Sequence, residues 1–466
     1  MTGTFSTLGI ALSGLRYSQA VLDNASNNIA NASTDGYVRR TVQGASVTSG
    51  QVALWSTYDG HGDGVAVTSV DRMVDPLLDA RVRSEHGNLS FLTTQQTVLS
   101  RVESGIGEPG DSGVSAALQK FNAAWQDLSN NPGTDASRQQ VIGMGQSLAQ
   151  AINSQVRNIT GEESDQRLHL QSNVADINTA ASGLAALNRN ILDGQQSGLD
   201  VNNLEDQRDQ LALKLANLAG GTVSVESNGM FDVSVGGASL VSGQDAGTLA
   251  IATGVTASGD ADGNPITFRI DTASGSTPLT SALGGEAGGV ADVLTNALPS
   301  YKAGLDQVAQ QLADTVNAQH ESGYDANGDP GTAFFSYDPS NPGATLSVAI
   351  TDSSQVAASS IAGSANQDGG NADTISTSTQ GVSDAYQRLV NGFGTQVAAI
   401  NQQTSNQTTL TGSLDDSWEQ QAGVNMDEET VNMVAAQRAY QAASRVLTTM
   451  DDMLDTLINH TGLIGG

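Results

Sequence analysis

The chain has 466 residues, enough for roughly two to four domains with their own cores, and it contains no cysteine, which excludes disulfides, thiolate nucleophiles and cysteine-ligated metals. Its 49 acidic side chains against 19 basic ones give a formal charge of −30 at pH 7, which argues against nucleic acid and an anionic membrane surface as partners, since both require a basic face. None of its lysines, Lys120, Lys214 and Lys302, stands in a phosphate-loop sequence, and no apolar run approaches the ~18 residues needed to span a bilayer.

The first predicted element is a long helix. Phe5, Leu8, Leu12, Leu15, Gln19, Leu22, Ser26 and Ile29 follow 3,4 spacing and draw one apolar seam, which stops at the turn signal Asp35-Gly36. A second seam runs through Leu170, Val174, Ile177, Ala181, Leu184 and Ile191. A third, through Leu204, Arg208, Leu211, Leu215 and Leu218, ends at Gly220-Gly221.

From Thr222 to about Leu294 the period changes to two, as in Val223 and Val225, Phe231, Val233 and Val235, and Ile266, Phe268 and Ile270, with glycine-rich turns between. This predicts an inserted β region. Helical spacing resumes at Leu305, Val308, Leu312 and Val316 after Pro299, gives way to a short β-like stretch around Phe334-Phe335 and Leu346, and returns through Val382, Tyr386, Leu389, Phe393, Val397 and Ile400.

The last helix opens at Asn425, a good N-cap, with Asp427, Glu428 and Glu429 placing negative charge at its positive end. Met433, Ala436, Tyr440, Ala443, Leu447, Met450, Leu454 and Leu457 then hold 3,4 spacing without a polar interruption, and Val446, Met453 and Ile458 widen the stripe. A face that broad requires more than one partner. The fold class expected is mainly α with an inserted β domain: paired terminal coiled-coil helices, an elongated helical-bundle domain and an outer β-rich domain. The expected division is 1–40 with 415–466, 41–221 with 290–414, and 222–289.

Catalytic and metal chemistry find little support. The histidines His61, His86, His169, His320 and His460 lie far apart in sequence, form no metal-binding pair on one helix, and are expected at the surface or its boundary. Asp260-Ala261-Asp262-Gly263-Asn264 and Asp325-Ala326-Asn327-Gly328-Asp329 faintly suggest calcium loops, but glycine is fourth rather than sixth and the distant glutamate is missing, so both are expected to be turns. Carboxylate pairs are too abundant to mark a glycosidase cleft, and no G-x-S-x-G elbow precedes a helix. No enzyme activity, cofactor or metal is expected.

The residues after the first seam carry a resemblance. Asn27-Asn28-Ile29-Ala30-Asn31-Ala32-Ser33-Thr34-Asp35-Gly36-Tyr37-Val38-Arg39 resembles the N-terminal signature N-N-I-A-N-x-N-T-x-G-Y-x-R of the axial proteins of the bacterial flagellum, the rod, hook and hook-associated proteins, with Ser33 in place of the usual Asn. Gly423 to Glu429, Gln437 to Ala442 and Met453 to Asn459 are similar to the C-terminal signature of the same proteins. The D-E-E and L-D-T-L elements, Glu108 to Gly113, Phe121 to Pro132, Leu204 to Leu215 and Gly323-Tyr324-Asp325 narrow the resemblance to the hook-associated branch at the hook–filament junction.

What the resemblance implies is an extracellular flagellar subunit exported through the flagellar type III apparatus, which would explain a start that reads as lacking a cleavable secretory signal. The implied role is a non-enzymatic adaptor between hook and filament. Implied partners are the hook protein, a second junction protein (hook-associated protein 3), copies of the chain itself in a ring, and an export chaperone on the C-terminal segment. The motif residues carried over are Asn28, Asn31, Gly36, Tyr37, Asn425, Asp427, Glu428 and Glu429. The assembly interface is expected at Phe5, Leu8, Leu12, Leu15, Leu22, Ile29, Met433, Tyr440, Leu447, Met450, Leu454 and Leu457, with both ridges bare until neighbours cover them. Other readings of the same sequence are a hook or distal rod protein, or, from another class, a wall-degrading enzyme of the flagellar system.

Overall fold

The computed structural model describes residues 2–47, 62–111, 113–363 and 368–460. Helix α1 (Thr2–Ala30) ends where Asn31, Thr34 and Tyr37 turn the chain through successive backbone bonds, Thr34 N–H donating to the Asn31 carbonyl at 2.9 Å. Gly36 is needed at this turn: its φ is +73°, and a Cβ there would drive into the side chain of Gln210. Strands β1 (Arg40–Ser46) and β2 (Val65–Arg72) form an antiparallel hairpin that lies against α1.

Asp75 caps the next helix, α2 (Pro76–Ile106), by accepting from the backbone N–H groups of Leu77 and Leu78. Helices α3 (Val114–Asn130), α4 (Asp135–Gln196) and α5 (Asn202–Ala219) follow. At 62 residues, α4 is the spine of the molecule, about 93 Å long at 1.5 Å per residue. Its buried positions recur at helical spacing from Val141 through Ile152, Ile159, Leu170 and Ile177 to Ile191.

The β region forms two small antiparallel sheets. One has the order β3 (Thr222–Val225), β4 (Phe231–Val235), β5 (Ala238–Ser242), β6 (Asp245–Ala246), and the other β7 (Thr248–Thr253), β8 (Thr267–Thr272), β9 (Gly275–Pro278). Their inner residues Val233, Val235, Leu240, Val241, Leu249 and Ile270 are buried in the same continuous core as α4. Polar side chains of α4 fasten the sheets: Asn188 donates to the carbonyls of Phe231 and Gly243 and accepts from the Phe231 N–H, and Asn178 exchanges two bonds with Leu249.

Helix α6 (Gly285–Asp292) runs through a π turn (Val293–Ala297) into α7 (Leu298–Glu321). The strand pattern expected up to about Leu294 therefore stops earlier, after β9. Ala287, Val290 and Leu294 bury one helical face, and Gly289 lets α6 lie directly on α2, where a Cβ would meet the Phe91 carbonyl at 2.7 Å. The remaining elements are β10 (Phe335–Ser336), α8 (Pro342–Thr345), β11 (Ser347–Val348), α9 (Gly370–Ser378), α10 (Gln380–Ala422) and α11 (Met426–Asp455), the last continued by a π turn (Thr456–His460). The chain is mainly α with an inserted β region, and α1 and α11 pair with each other.

One histidine departs from the surface placement expected for all five. His320 is wholly buried, its ring set between Trp125 and Phe334 at 6.1 and 5.5 Å, with Nδ1 on the Thr332 carbonyl and Nε2 accepting from the Ala357 N–H. Both ring nitrogens are satisfied by backbone, which is what makes the burial affordable. Asp325 closes an Asx turn by accepting from the N–H groups of Asn327 and Asp329, and Asp262 does the same for Asn264. Among the described residues no group of three or more histidines and carboxylates is placed to hold a metal ion.

Candidate assembly interface

The seams predicted at the two chain ends meet. In the α1/α11 pair, Ala25, Ala436 and Met450 are buried, and Leu8, Leu15, Leu22, Ile29, Met433, Leu447 and Leu454 are half-buried. Leu12 and Tyr440, expected on the ridge, are exposed at its margin. The side chains of Phe5 and Leu457 lie outside the described residues, as does His61. The ridges are therefore not bare in the lone chain, because each half-covers the other.

What the pair leaves open is the flank of α11. Val431 is 68% exposed, and Val434, Val446 and Met453, within about 60° of it around the helix, are exposed as well. An isolated apolar residue on a surface is ordinary, but a line of them along one helix is a surface that a further helix could cover.

The motif residues form a polar knot where the pair joins the body. Asn28, at the end of α1, is 0% exposed and donates both to the Arg40 carbonyl at 2.9 Å and to Glu429 Oε2 at 3.0 Å; its Oδ1 accepts from the Tyr37 hydroxyl at 2.8 Å and the Arg40 N–H at 3.2 Å. Arg39 reaches Glu429 at 2.8 Å and Glu428 at 3.0 Å, while its backbone N–H donates to the Ala422 carbonyl at the end of α10. Asn425 caps α11 by accepting from the N–H groups of Asp427 and Glu428. Asn31 accepts from the Thr34 hydroxyl and supports the turn. Asp427 and Glu428 remain exposed at the helix start, whereas Glu429, in the same first turn as expected, is also a buried ion-pair partner of Arg39.

A second charged layer ties the hairpin to α5. Arg72 meets Asp206 at 2.7 Å, Asp209 at 2.5 Å and Glu205 at 3.5 Å, and Arg40 meets Asp206 at 2.9 Å. Burial alone would lower the Arg72 pKa, but Asp209 and its neighbours outweigh it and raise it. Burial pushes the Asp206 carboxyl up despite Arg72 and Arg40, and raises the Tyr37 hydroxyl as well. Sequence reasoning missed Arg40, Arg72 and Asp206. The available signal was Asp206 beside Arg208 within a seam of leucines, a charge on a face that otherwise buries.

Both chain ends thus build a long paired-helix base and a polar knot that joins it to the helical body. Residues 99–335 match the model of the flagellar hook-associated protein FlgK helical domain, and residues 419–460 match that of the flagellar basal body rod FlgEFG protein C-terminal region. Flagellar hook-associated protein 1 of Bacillus subtilis is 30% identical over 100% of both chains, and that of Escherichia coli is 26% identical over 97% of this chain and 99% of its own. The flagellar hook junction protein FlgK from Burkholderia pseudomallei shares the fold, with a TM-score of 0.64 at 18% identity over 73% of this chain and 99% of that one. The chain belongs to the flagellar hook-associated protein 1 (FlgK) family, a family of structural components of the flagellum.

Proposed function

We propose that the chain is a non-enzymatic adaptor of the hook–filament junction, exported through the flagellar type III apparatus and assembled by packing of its terminal helices. The observation that carries this reading is the α1/α11 pair, whose seam is only half-buried in one chain and whose α11 flank presents Val431, Val434, Val446 and Met453 to solvent. Copies arranged in a ring would cover that flank. The candidate interface is then Leu8, Leu12, Leu15, Leu22, Ile29, Met433, Tyr440, Leu447, Met450 and Leu454, with Phe5 and Leu457 at the distal end. Residues 1–40 with 415–466 act as an inner layer, 41–221 with 290–414 as a second layer, and 222–289 as the outer part. The partners in this reading are the hook protein, hook-associated protein 3, further copies of the chain, and an export chaperone that holds the C-terminal segment before assembly.

Deletion of the gene tests the assignment. Cells are expected to make finished hooks without filaments and to lose flagellin to the medium; normal filaments would overturn it.

A further inference from the structure

The terminal helices carry a charge pattern opposite to that of the molecule. On a chain of net charge −30, the stretches 2–22 and 430–450 contain no acidic residue, and their basic residues are Arg16, Arg438 and Arg445. All three are exposed, and no carboxylate among the described residues pairs with them. Counting from the Asn28–Glu429 contact at 1.5 Å per residue, Arg438, Arg16 and Arg445 stand about 14, 18 and 24 Å out along the pair. They form a basic belt around its middle.

At the foot of the pair lies the complement. A groove of about 510 Å³ opens between the 32–38 turn, α2, α5 and the end of α10, with Val38, Val82, Leu213 and Trp418 supplying its apolar lining. Six carboxylates line it. Three are engaged: Asp415 with His86 at 2.8 Å, Asp209 with Arg72, and Asp206 with Arg72 and Arg40 in the charged layer on α5. Among the described residues the other three, Asp35, Asp79 and Glu419, close no ion pair; Asp79 Oδ1 accepts from the Trp418 indole N–H, and burial raises its pKa although that bond and the nearby Arg83 and Arg72 charges act to lower it. The Arg83 guanidinium also lines the groove but closes an ion pair with none of them.

We propose that this groove receives the arginine belt of a second copy of the chain, the copy being displaced along the helix pair by about 14–24 Å, the spacing between knot and belt. A chain cannot satisfy its own groove, because its belt stands that far from it. The match is of charge and of shape: unpaired guanidinium groups with long apolar stems meet unpaired carboxylates around an indole floor. The proposal rests on the self-assembly reading above and adds to it a direction and a register.

The natural absence of cysteine makes the test direct. Chain carrying Arg438→Cys and Glu419→Cys is expressed in place of the wild type, flagella are sheared off, and the subunits are oxidised and run without reductant. The expected product is a ladder of multiples of the chain mass. Chain present in the flagella but linked within itself, unlinked, or linked to a different subunit overturns the groove proposal and leaves the adaptor reading standing. Wild-type chain missing from sheared flagella would instead overturn the adaptor reading. As a second arm, Arg438→Glu with Arg445→Glu is expected to reduce filament-bearing cells at least about tenfold, and Asp35→Arg with Glu419→Arg in the same chain to restore them. A reversal without effect, or no recovery in the reciprocal variant, overturns the groove proposal.

Discussion

Asn28 and Glu429, 401 positions apart, are joined by a 3.0 Å hydrogen bond in a site that excludes water, so the last turn of the first helix and the first turn of the last helix are held as one unit. Glu429 is also the near partner of Arg39, and the Asn28 amide accepts from Tyr37 and Arg40. The knot fixes where the terminal pair leaves the body. Removing Glu429 would leave the half-buried Arg39 guanidinium facing only the exposed Glu428, so the cost is expected to fall below the ~3–5 kcal/mol of breaking a fully buried pair. In Glu429→Ala, amide exchange in the last turns of α1 and the first turns of α11 is expected to accelerate while α4 stays protected. Unchanged protection at both places would show that the knot does not hold the pair.

The seam behaves differently from the knot. Leu447 and Leu454 are half-buried in the lone chain, so truncation to Ala is expected to cost about 1–2 kcal/mol there, less than the 2–5 kcal/mol of a fully buried leucine. If copies pack on this seam as proposed, the remainder is expected on assembly. Both variants are expected to leave the melting of the central body unchanged and to weaken hook–filament junctions under shear. A large drop in the body's melting temperature would place the seam inside the monomer's core.

How far the sequence could be read depended on what each residue's neighbours were. The terminal seams were legible because Leu8 to Ile29 and Met433 to Leu454 repeat every three or four residues, and the Asn28 to Arg39 signature is contiguous. The α5 boundary at Gly220-Gly221 was legible for the same local reason. The first-turn place of Glu429 was legible, but its burial was not, because its partners Asn28 and Arg39 lie 401 and 390 residues away and no local pattern separates a buried acid from an exposed one. His320 was misplaced likewise: its burial depends on Trp125, Phe334 and backbone from Thr332 and Ala357, none of which its own spacing shows. The early end of the β region escaped notice because Gly284 to Gly289 carries too few side chains to reveal a period.

His320 makes stability sensitive to acid. Burial, partly offset by the bond to Thr332, lowers its pKa from 6.5 to about 4. The folded state thus disfavours the proton that the unfolded chain accepts below pH 6.5, so the contribution is complete above that pH and is lost as pH falls towards 4. The loss is about 3 kcal/mol across that window at 1.4 kcal/mol per unit. Urea midpoints measured from pH 7 to pH 4 are expected to fall more steeply for the wild type than for His320→Gln, whose side chain carries no titrating proton. Equal slopes would mean that the imidazole does not titrate with folding.

The last prediction concerns how firmly the β region belongs to the body. Asn188 is 0% exposed, and its side chain satisfies the carbonyls of Phe231 and Gly243 and the N–H of Phe231. Asn188→Ala would leave those three backbone groups buried and unpaired, and each such group costs about 1–3 kcal/mol unless water enters. Because Val233, Val241 and Leu249 share one core with Ile177 and Leu184, the loss should spread beyond the strands. Exchange is expected to accelerate over 231–243 and, to a smaller degree, in α4 around Leu184, with one unfolding transition at a lower urea midpoint. Two separate transitions, with the helical body unmoved, would instead show that 222–289 is an independently folding domain that only rests on α4.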